Sequence, residues 1–182
     1  GAQLANGAGG SLSLGGEALR SGGDAVSELV EQAFEDVEVI LAVGGLGGGT
    51  GGNLVELVNI VAELDFPVVA LGILPALADG YRVKTNALWA INELVDSPVD
   101  SLMLIDNEKL YTKHGTATVE SFWSACNDSL VTGIDALNCL ANNESLTSVR
   151  TFDPNDLRQL VRFGGTTLFG TTTIDGAITR DS

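Results

Sequence analysis

Basic residues are scarce in this chain. Nine lysines and arginines stand against 24 aspartates and glutamates, for a net charge of -15. A protein that binds duplex nucleic acid directly needs a basic face, so that class of partner is excluded. The acidic excess fits a protein working in high salt, where like-charge repulsion is screened. It fits an ordinary acidic cytoplasmic protein equally. Histidine occurs once, at His114, and cysteine twice. With no Cys/His cluster, neither a zinc site nor a histidine-based triad is supported, and no metal ligand is assigned. His114 is expected in a solvated loop at 112–115. Cys126 and Cys139 fall in one predicted helix, pointing some 220° apart with about 20 Å of rise between them. They cannot bridge each other. They read as small buried residues in a reducing compartment. No apolar run approaches the ~20 residues of a membrane span, and no secretory signal opens the sequence as given.

Glycine, by contrast, is abundant, at 23 residues. Most informative is the stretch from Val39 to Asn53, where an apolar run ends in Gly44-Gly45-Leu46-Gly47-Gly48-Gly49-Thr50-Gly51-Gly52. An amphipathic segment, 54–64, follows at once. A strand, a glycine loop and a helix in that order present bare backbone N–H groups at a helix N-terminus, where the dipole favours an anion. Glycines let the main chain approach a phosphate without a Cβ in the way. Asn53 is placed to cap the helix. The stretch reads as a nucleotide phosphate loop.

Three loop chemistries compete. A Walker loop ends in Gly-Lys-Ser/Thr, and no lysine precedes Tyr81, so that reading fails. The dinucleotide fingerprint G-x-G-x-x-G is met by Gly47, Gly49 and Gly52. It needs an acid at the end of the next strand to hold a ribose hydroxyl, and Gly72-Ile73-Leu74-Pro75 offers none. The third is a signature of the form G-G-G-T-G-T/S-G. Gly47-Gly48-Gly49-Thr50-Gly51 matches its first five positions, while Gly52 and Asn53 depart from the last two.

The 182 residues suffice for one domain with a sizeable core. A hydrophobic content of 45% and a mean hydropathy of +0.24 exclude a disordered chain. Periodicity predicts helices at 24–34, 54–64, 84–94 and 119–140, and strands at 37–43, 66–73, 99–105 and 166–173. A polar loop at 141–153 leads to a helix that starts at Pro154 with Asp153 as its cap. Alternating strands and helices imply an α/β fold, a parallel sheet with helices on both faces. Ligands of such sheets bind past the carboxyl ends of the strands, where 44–52, 74–82 and 106–110 are the candidate loops.

Taken together, these loops resemble the GTPase domain of the FtsZ/tubulin family along nearly the whole chain, which implies a Rossmann-like GTP-binding fold. Gly7-Ala8-Gly9-Gly10-Ser11 is similar to the family's loop facing the γ-phosphate, with Ser11 in place of Asn. The resemblance implies phosphate contacts for Ala8, Gly9 and Gly10, and for Gly47, Gly48, Gly49, Thr50, Gly51 and Gly52. Asp79-Gly80-Tyr81-Arg82 stands where the family has an acid, a glycine and basic residues. Asp79 would accept from ribose hydroxyls and Arg82 would offset phosphate charge, although Val83 occupies the usual Arg position. Asp106-Asn107-Glu108-Lys109-Leu110 resembles the family's N-D-K-L segment and gives Asn107 a contact to base or ribose. Ser121-Phe122-Trp123-Ser124-Ala125-Cys126-Asn127-Asp128 is similar to A-F-x-x-A-N-D. There Phe122 would stack on guanine, and Asn127 and Asp128 would read the purine edge. Thr151-Phe152-Asp153-Pro154-Asn155-Asp156 resembles the loop that enters the next subunit's nucleotide site, which makes Asp153 and Asp156 the implied catalytic acids. Gly72 to Pro75 and Thr85-Asn86-Ala87 look more like archaeal members, haloarchaeal ones among them, than bacterial ones.

The resemblance implies GTP or GDP with Mg²⁺ (and K⁺) as cofactors, head-to-tail self-assembly, and cell division as the leading role. Membrane-anchoring or division proteins would be partners of the full-length protein, with a cytoplasmic location and no membrane insertion. The expected domain arrangement is 1–165 for the nucleotide domain, with the inter-subunit loop and helix at 143–163, and 166–182 for the start of a second domain. The first phosphate loop of the family is expected to lie outside this chain, which reads as part of a longer protein and, alone, as inactive. Other readings are a non-hydrolysing filament regulator, a cell-shape or plasmid-positioning protein and, remotely, an NAD-dependent oxidoreductase.

Overall fold

Strand signals and helix signals alternate because apolar β-branched runs are bounded by glycine and polar turns, and the chain folds accordingly. The computed structural model describes residues 7–34, 37–114, 119–142 and 154–168. In chain order the elements are α1 (Leu12–Ser21), α2 (Gly23–Ala33), β1 (Ile40–Gly45), α3 (Leu54–Glu63), β2 (Val68–Leu74) and α4 (Tyr81–Val95). They continue with β3 (Ser101–Asp106), α5 (Asn107–His114), α6 (Val119–Asn142), α7 (Pro154–Arg162) and β4 (Thr166–Leu168). A single 3-10 turn, Gly51–Asn53, leads into α3.

The strands form one parallel sheet in the order β1-β2-β3-β4. Registers such as Ala42↔Ala70 and Ala70↔Leu102 bring Ile40, Ala42, Val68, Ala70 and Leu102 onto one face. There they pack against Val30 of α2, Leu54, Val58 and Val61 of α3, and Ala87, Ala90 and Leu94 of α4. The opposite face presents Leu41, Val69, Leu71 and Met103 toward Val131 and Ile134 of α6 and Val161 of α7. Helices therefore cover both faces, as the alternation implies. Asp100 pins the start of β2: its carboxylate accepts from the Val68 N–H at 2.8 Å. The pairing of β4 with β3 runs from Leu102↔Thr166 to Leu104↔Leu168, while 169–182, the rest of the expected second-domain segment, lies outside the described residues.

Four details depart from the sequence reading. Residues 12–21 form a helix that the glycine-rich start conceals; Ser11 caps it, its hydroxyl accepting from the Leu14 N–H at 3.4 Å. Residues 107–110 are helix and not loop, because Asp106 accepts from the Glu108 N–H at 2.9 Å and caps α5. His114 consequently ends α5 and does not sit in a loop. Cys139 is exposed, whereas Cys126 is buried and its thiol pKa is pushed up by desolvation. No helix among the described residues is long and apolar enough to cross a membrane.

Candidate nucleotide-binding cleft

The carboxyl ends of β1, β2 and β3 open onto one edge of the sheet, and the glycine loops collect there. Leu46 starts this arrangement. Its N–H donates to the Ile73 carbonyl at 3.0 Å, extending the ladder one residue past β1. Its side chain, fully buried, sits over Gly72, where a Cβ would come within 2.7 Å of Leu46 Cδ1. The one bulky residue in the glycine run is therefore its anchor. Beyond it the chain turns through Gly47 to Thr50 and enters the 3-10 turn.

The loop is held down by close backbone approach. A Cβ on Gly49 would lie 2.6 Å from Ala8 Cβ and 2.7 Å from the Ser11 carbonyl oxygen. One on Gly15 of α1 would lie 2.0 Å from the Gly49 carbonyl oxygen. Only glycine fits at either point, and α1 and its preceding loop are thereby pressed onto the Gly47–Gly51 segment. Gly9 and Gly10 turn with φ of +56° and +77°, a conformation in which glycine is the residue at home. Among the described residues, the N–H groups of Gly9, Gly10, Gly47, Gly49 and Thr50 donate to no backbone carbonyl.

An open cleft of about 340 Å³ lies between these loops, lined by Gly10, Gly45, Gly47, Gly48, Ile73 to Pro75, Asp79, Arg82, Val83 and Asn107. That volume is in the range of small-ligand sites. Arg82, in the first turn of α4, lies against Gly10: a Cβ there would be 3.0 Å from Arg82 Nη2. The cleft thus has a cation beside bare backbone donors in a chain of strongly negative charge. The Asp79 carboxylate accepts from the Ala76 N–H at 2.8 Å, closing its own turn. Glu108 of α5 accepts from the Leu77 N–H at 2.8 Å, and Lys84 donates to the Leu77 carbonyl, so the 75–80 loop is tied on both sides.

Sequence-predicted residues thus separate into groups. Gly10, Gly47, Gly48, Asp79, Arg82 and Asn107 share the cleft. Gly9 and Thr50 are exposed beside it, Gly51 is half-buried, and Ala8, Gly49 and Gly52 are buried as packing partners of the loops. Asn127 and Asp128 are exposed on α6 and are not among the cleft-lining residues. Phe122 is a backbone position of α6. Asp156 is exposed in the first turn of α7, and Asp153 lies outside the described residues. Asn53 does not cap α3. Its amide turns back and donates to the Gly49 carbonyl at 2.6 Å and the Leu12 carbonyl at 2.8 Å. The sequence reading assigned no role to Asn86, whose amide donates to the Gly10 carbonyl at 3.0 Å and the Gly47 carbonyl at 3.1 Å. The available signal was a polar residue on the otherwise apolar Ala87/Ala90/Leu94 side of α4.

A metal held by protein ligands alone is a poor fit here: the described residues contain no group of three His, Cys, Asp or Glu side chains placed to share an ion. The donors at hand are the Asp79 carboxylate in the cleft and the exposed Thr50 hydroxyl beside it. Such a sparse oxygen set suits a hydrated Mg²⁺ that arrives on a polyphosphate.

Comparison with known proteins bears on the family and the fold. The model of the Tubulin/FtsZ family, GTPase domain, matches residues 3–115. The tubulin-like protein CetZ of Pyrococcus furiosus is 32% identical over 143 residues, which is 77% of this chain and 37% of that protein. The tubulin-like protein TubZ of Bacillus cereus is 30% identical over 159 residues, 84% of this chain and 37% of its own length. The GTPγS-bound protofilament structure of CetZ2 from Haloferax volcanii superposes with a TM-score of 0.67 at 26% identity, covering 75% of this chain and 42% of that one. The chain spans little more than a third of the length of the curated relatives it matches.

Proposed function

This chain belongs to the Tubulin/FtsZ family, and from that premise we propose that the whole protein binds GTP in the glycine-lined cleft and polymerises head to tail. The observation that carries the reading is the set of unpartnered N–H groups on two glycine loops, beside Arg82, at the carboxyl edge of a parallel sheet. Backbone donors and a guanidinium are the chemistry that accepts a polyphosphate. Asp79, at the same cleft, then accepts from the ribose hydroxyls and Asn107 contacts base or ribose, and Phe122, Asn127 and Asp128 on α6 complete guanine recognition. A carboxylate accepts from both N1–H and N2–H of guanine, a pattern adenine cannot reproduce.

Hydrolysis, in this reading, happens at subunit junctions. One subunit supplies the loops and its neighbour supplies Asp153 and Asp156, which polarise the attacking water. Asp79 and Thr50 are the side chains that would hold a hydrated Mg²⁺ brought in on the polyphosphate, which would supply neutralisation of phosphate charge; K⁺ would be the monovalent partner. The filament works in the cytoplasm, in cell division first and in cell shape or plasmid positioning next. CetZ2 supports the nucleotide and the assembly together, being a GTPγS-bound protofilament.

One observation favours a second reading, a family member that binds GTP without turning it over. A Cβ on Gly52 would lie 2.5 Å from Leu12 Cδ2 and 3.1 Å from the Leu46 carbonyl oxygen. The Thr or Ser of the family signature does not fit there unless Leu12 moves, so the loop lacks a hydroxyl at that place.

Equilibrium binding of GTP, GDP, ATP and NAD to the full-length protein tests the proposal. Tight GTP and GDP binding with ATP weaker by ~100-fold or more is expected. NAD binding without GTP binding would replace it with an oxidoreductase.

A further inference from the structure

Two buried asparagines join the two glycine loops, and neither was expected to do so. Asn86 is 7% exposed and Asn53 is 2% exposed. Asn86, on α4, reaches the carbonyls of Gly10 and Gly47 with one amide nitrogen. Asn53, at the end of the 3-10 turn, reaches Leu12 and Gly49 in the same way. Each amide therefore takes one carbonyl from the loop before α1 or the start of that helix, and one from the loop after β1. Each is also a two-proton donor used on two acceptors, the full capacity of an amide nitrogen.

The arrangement does something packing alone does not. Glycine loops carry no side chains of their own to fix their peptide planes. A peptide whose carbonyl is held inward by a buried amide cannot flip that plane without leaving a buried donor unpaired. Of the peptides held in this way, the one that follows Gly49 carries the Thr50 N–H, which is free of a backbone partner; the flanking N–H groups of Gly10, Gly47 and Gly49 are free of one as well, and all stay available to an anion.

Building on the nucleotide reading above, we propose that Asn86 and Asn53 are positioning residues for polyphosphate binding: they lock the two glycine loops in one relative orientation and so preset their N–H groups for the β- and γ-phosphates. Asn86 lies one turn from Arg82 along the same face of α4. It couples the cation and the loops, because α4 carries Arg82 against Gly10 while Asn86 holds the carbonyl of that same Gly10. Asn53 acts from beneath, on the Gly49 carbonyl.

The test compares GTP with GMP on the full-length protein. Asn86→Ala removes both donors. Asn86→Asp keeps the shape but sets a carboxylate against two carbonyls. Positioning predicts that both variants lose at least ~10-fold in GTP affinity, while GMP, which reaches the loops with one phosphate, changes by about 2-fold or less. A fall in GTP and GMP affinity by the same factor would overturn the proposal in favour of a plain stability role. Unchanged GTP affinity would overturn it as well. If the Asn86 variants fail to fold, Asn53→Gly carries the same GTP and GMP comparison at the second site, where the Leu12 and Gly49 carbonyls lose their donor. Wild-type protein that fails to bind GTP would instead remove the nucleotide reading itself, an outcome separate from the other two.

Discussion

Leu46, Gly49 and Cys126 show how much single residues decide here. Leu46 is fully buried and ties the phosphate loop to the sheet through its side chain and its N–H. Leu46→Ala should lower stability by about 2–5 kcal/mol, read by urea denaturation, and should weaken GTP binding further than the loss of fold explains. Gly49→Ala puts a Cβ within 2.6 Å of Ala8. The loops must part to admit it, so GTP affinity should fall by ~10-fold or more at a modest cost in stability, about 1–3 kcal/mol. Calorimetric titration of GTP checks it, and wild-type affinity in this variant would mean that the loops are softer than their contacts indicate. Cysteine reactivity follows burial. Cys139 is exposed and Cys126 is buried with its thiol pKa raised. Because the thiolate is the reactive form, a thiol reagent at mildly alkaline pH should label Cys139 first and reach Cys126 only on unfolding. Mass spectrometry of labelled peptides reads the order. The raised pKa also carries a sign: burial of the neutral thiol favours the fold below the thiol's ordinary range, and that contribution is lost as pH rises through the folded-state value.

Among the elements, α1 has a sequence that misleads. Its Gly15 and Gly16 look like loop residues, and glycine is a poor helix former. Packing supplies the reason for them, since Gly15 faces the Gly49 carbonyl and Gly16 faces Asn53 Oδ1, where a Cβ would come within 2.7 Å. The usual gain of ~1 kcal/mol for Gly→Ala in a helix should therefore reverse at Gly15. At Gly23 of α2 the nearest atom is 3.8 Å away, so Gly23→Ala should be neutral or slightly stabilising. Thermal melts of the two variants make the comparison, and stabilisation by Gly15→Ala would contradict the packing. What was legible in the sequence had a period or a spacing behind it. Strands β1, β2 and β3, helices α3, α4 and α6, and the glycine loop were all readable from runs of apolar residues and their boundaries. What was not legible depends on contacts between distant segments. The roles of Asn53 and Asn86 are set by carbonyls 41 and 76 residues away in the chain at their farthest, and no local rule reports them. Asn53 is a sound helix cap by local rules, yet the carbonyls of Leu12 and Gly49 claim its amide. The 107–110 segment is the opposite case: its helix is started by a short-range cap from Asp106, but at eight residues it is too short to carry a clear apolar period.

At the scale of the whole molecule, charge and assembly meet. A net charge of -15 spread over 182 residues stores self-repulsion that salt relieves. The melting temperature should rise by about 4 °C or more between low salt and ~1 M KCl; a flat or falling dependence would show that the acidic groups are already compensated locally. The same repulsion acts between copies, so filament formation should also need salt. In the proposed mechanism the loops of one copy are incomplete without Asp153 and Asp156 of the next. GTP turnover by the full-length protein, followed against protein concentration in high-potassium buffer with Mg²⁺, therefore bears most directly on the account. A rate per molecule that is near zero when dilute and rises steeply above a threshold concentration is the predicted result. A substantial rate per molecule that stays constant from the most dilute sample upward would contradict a site shared between subunits.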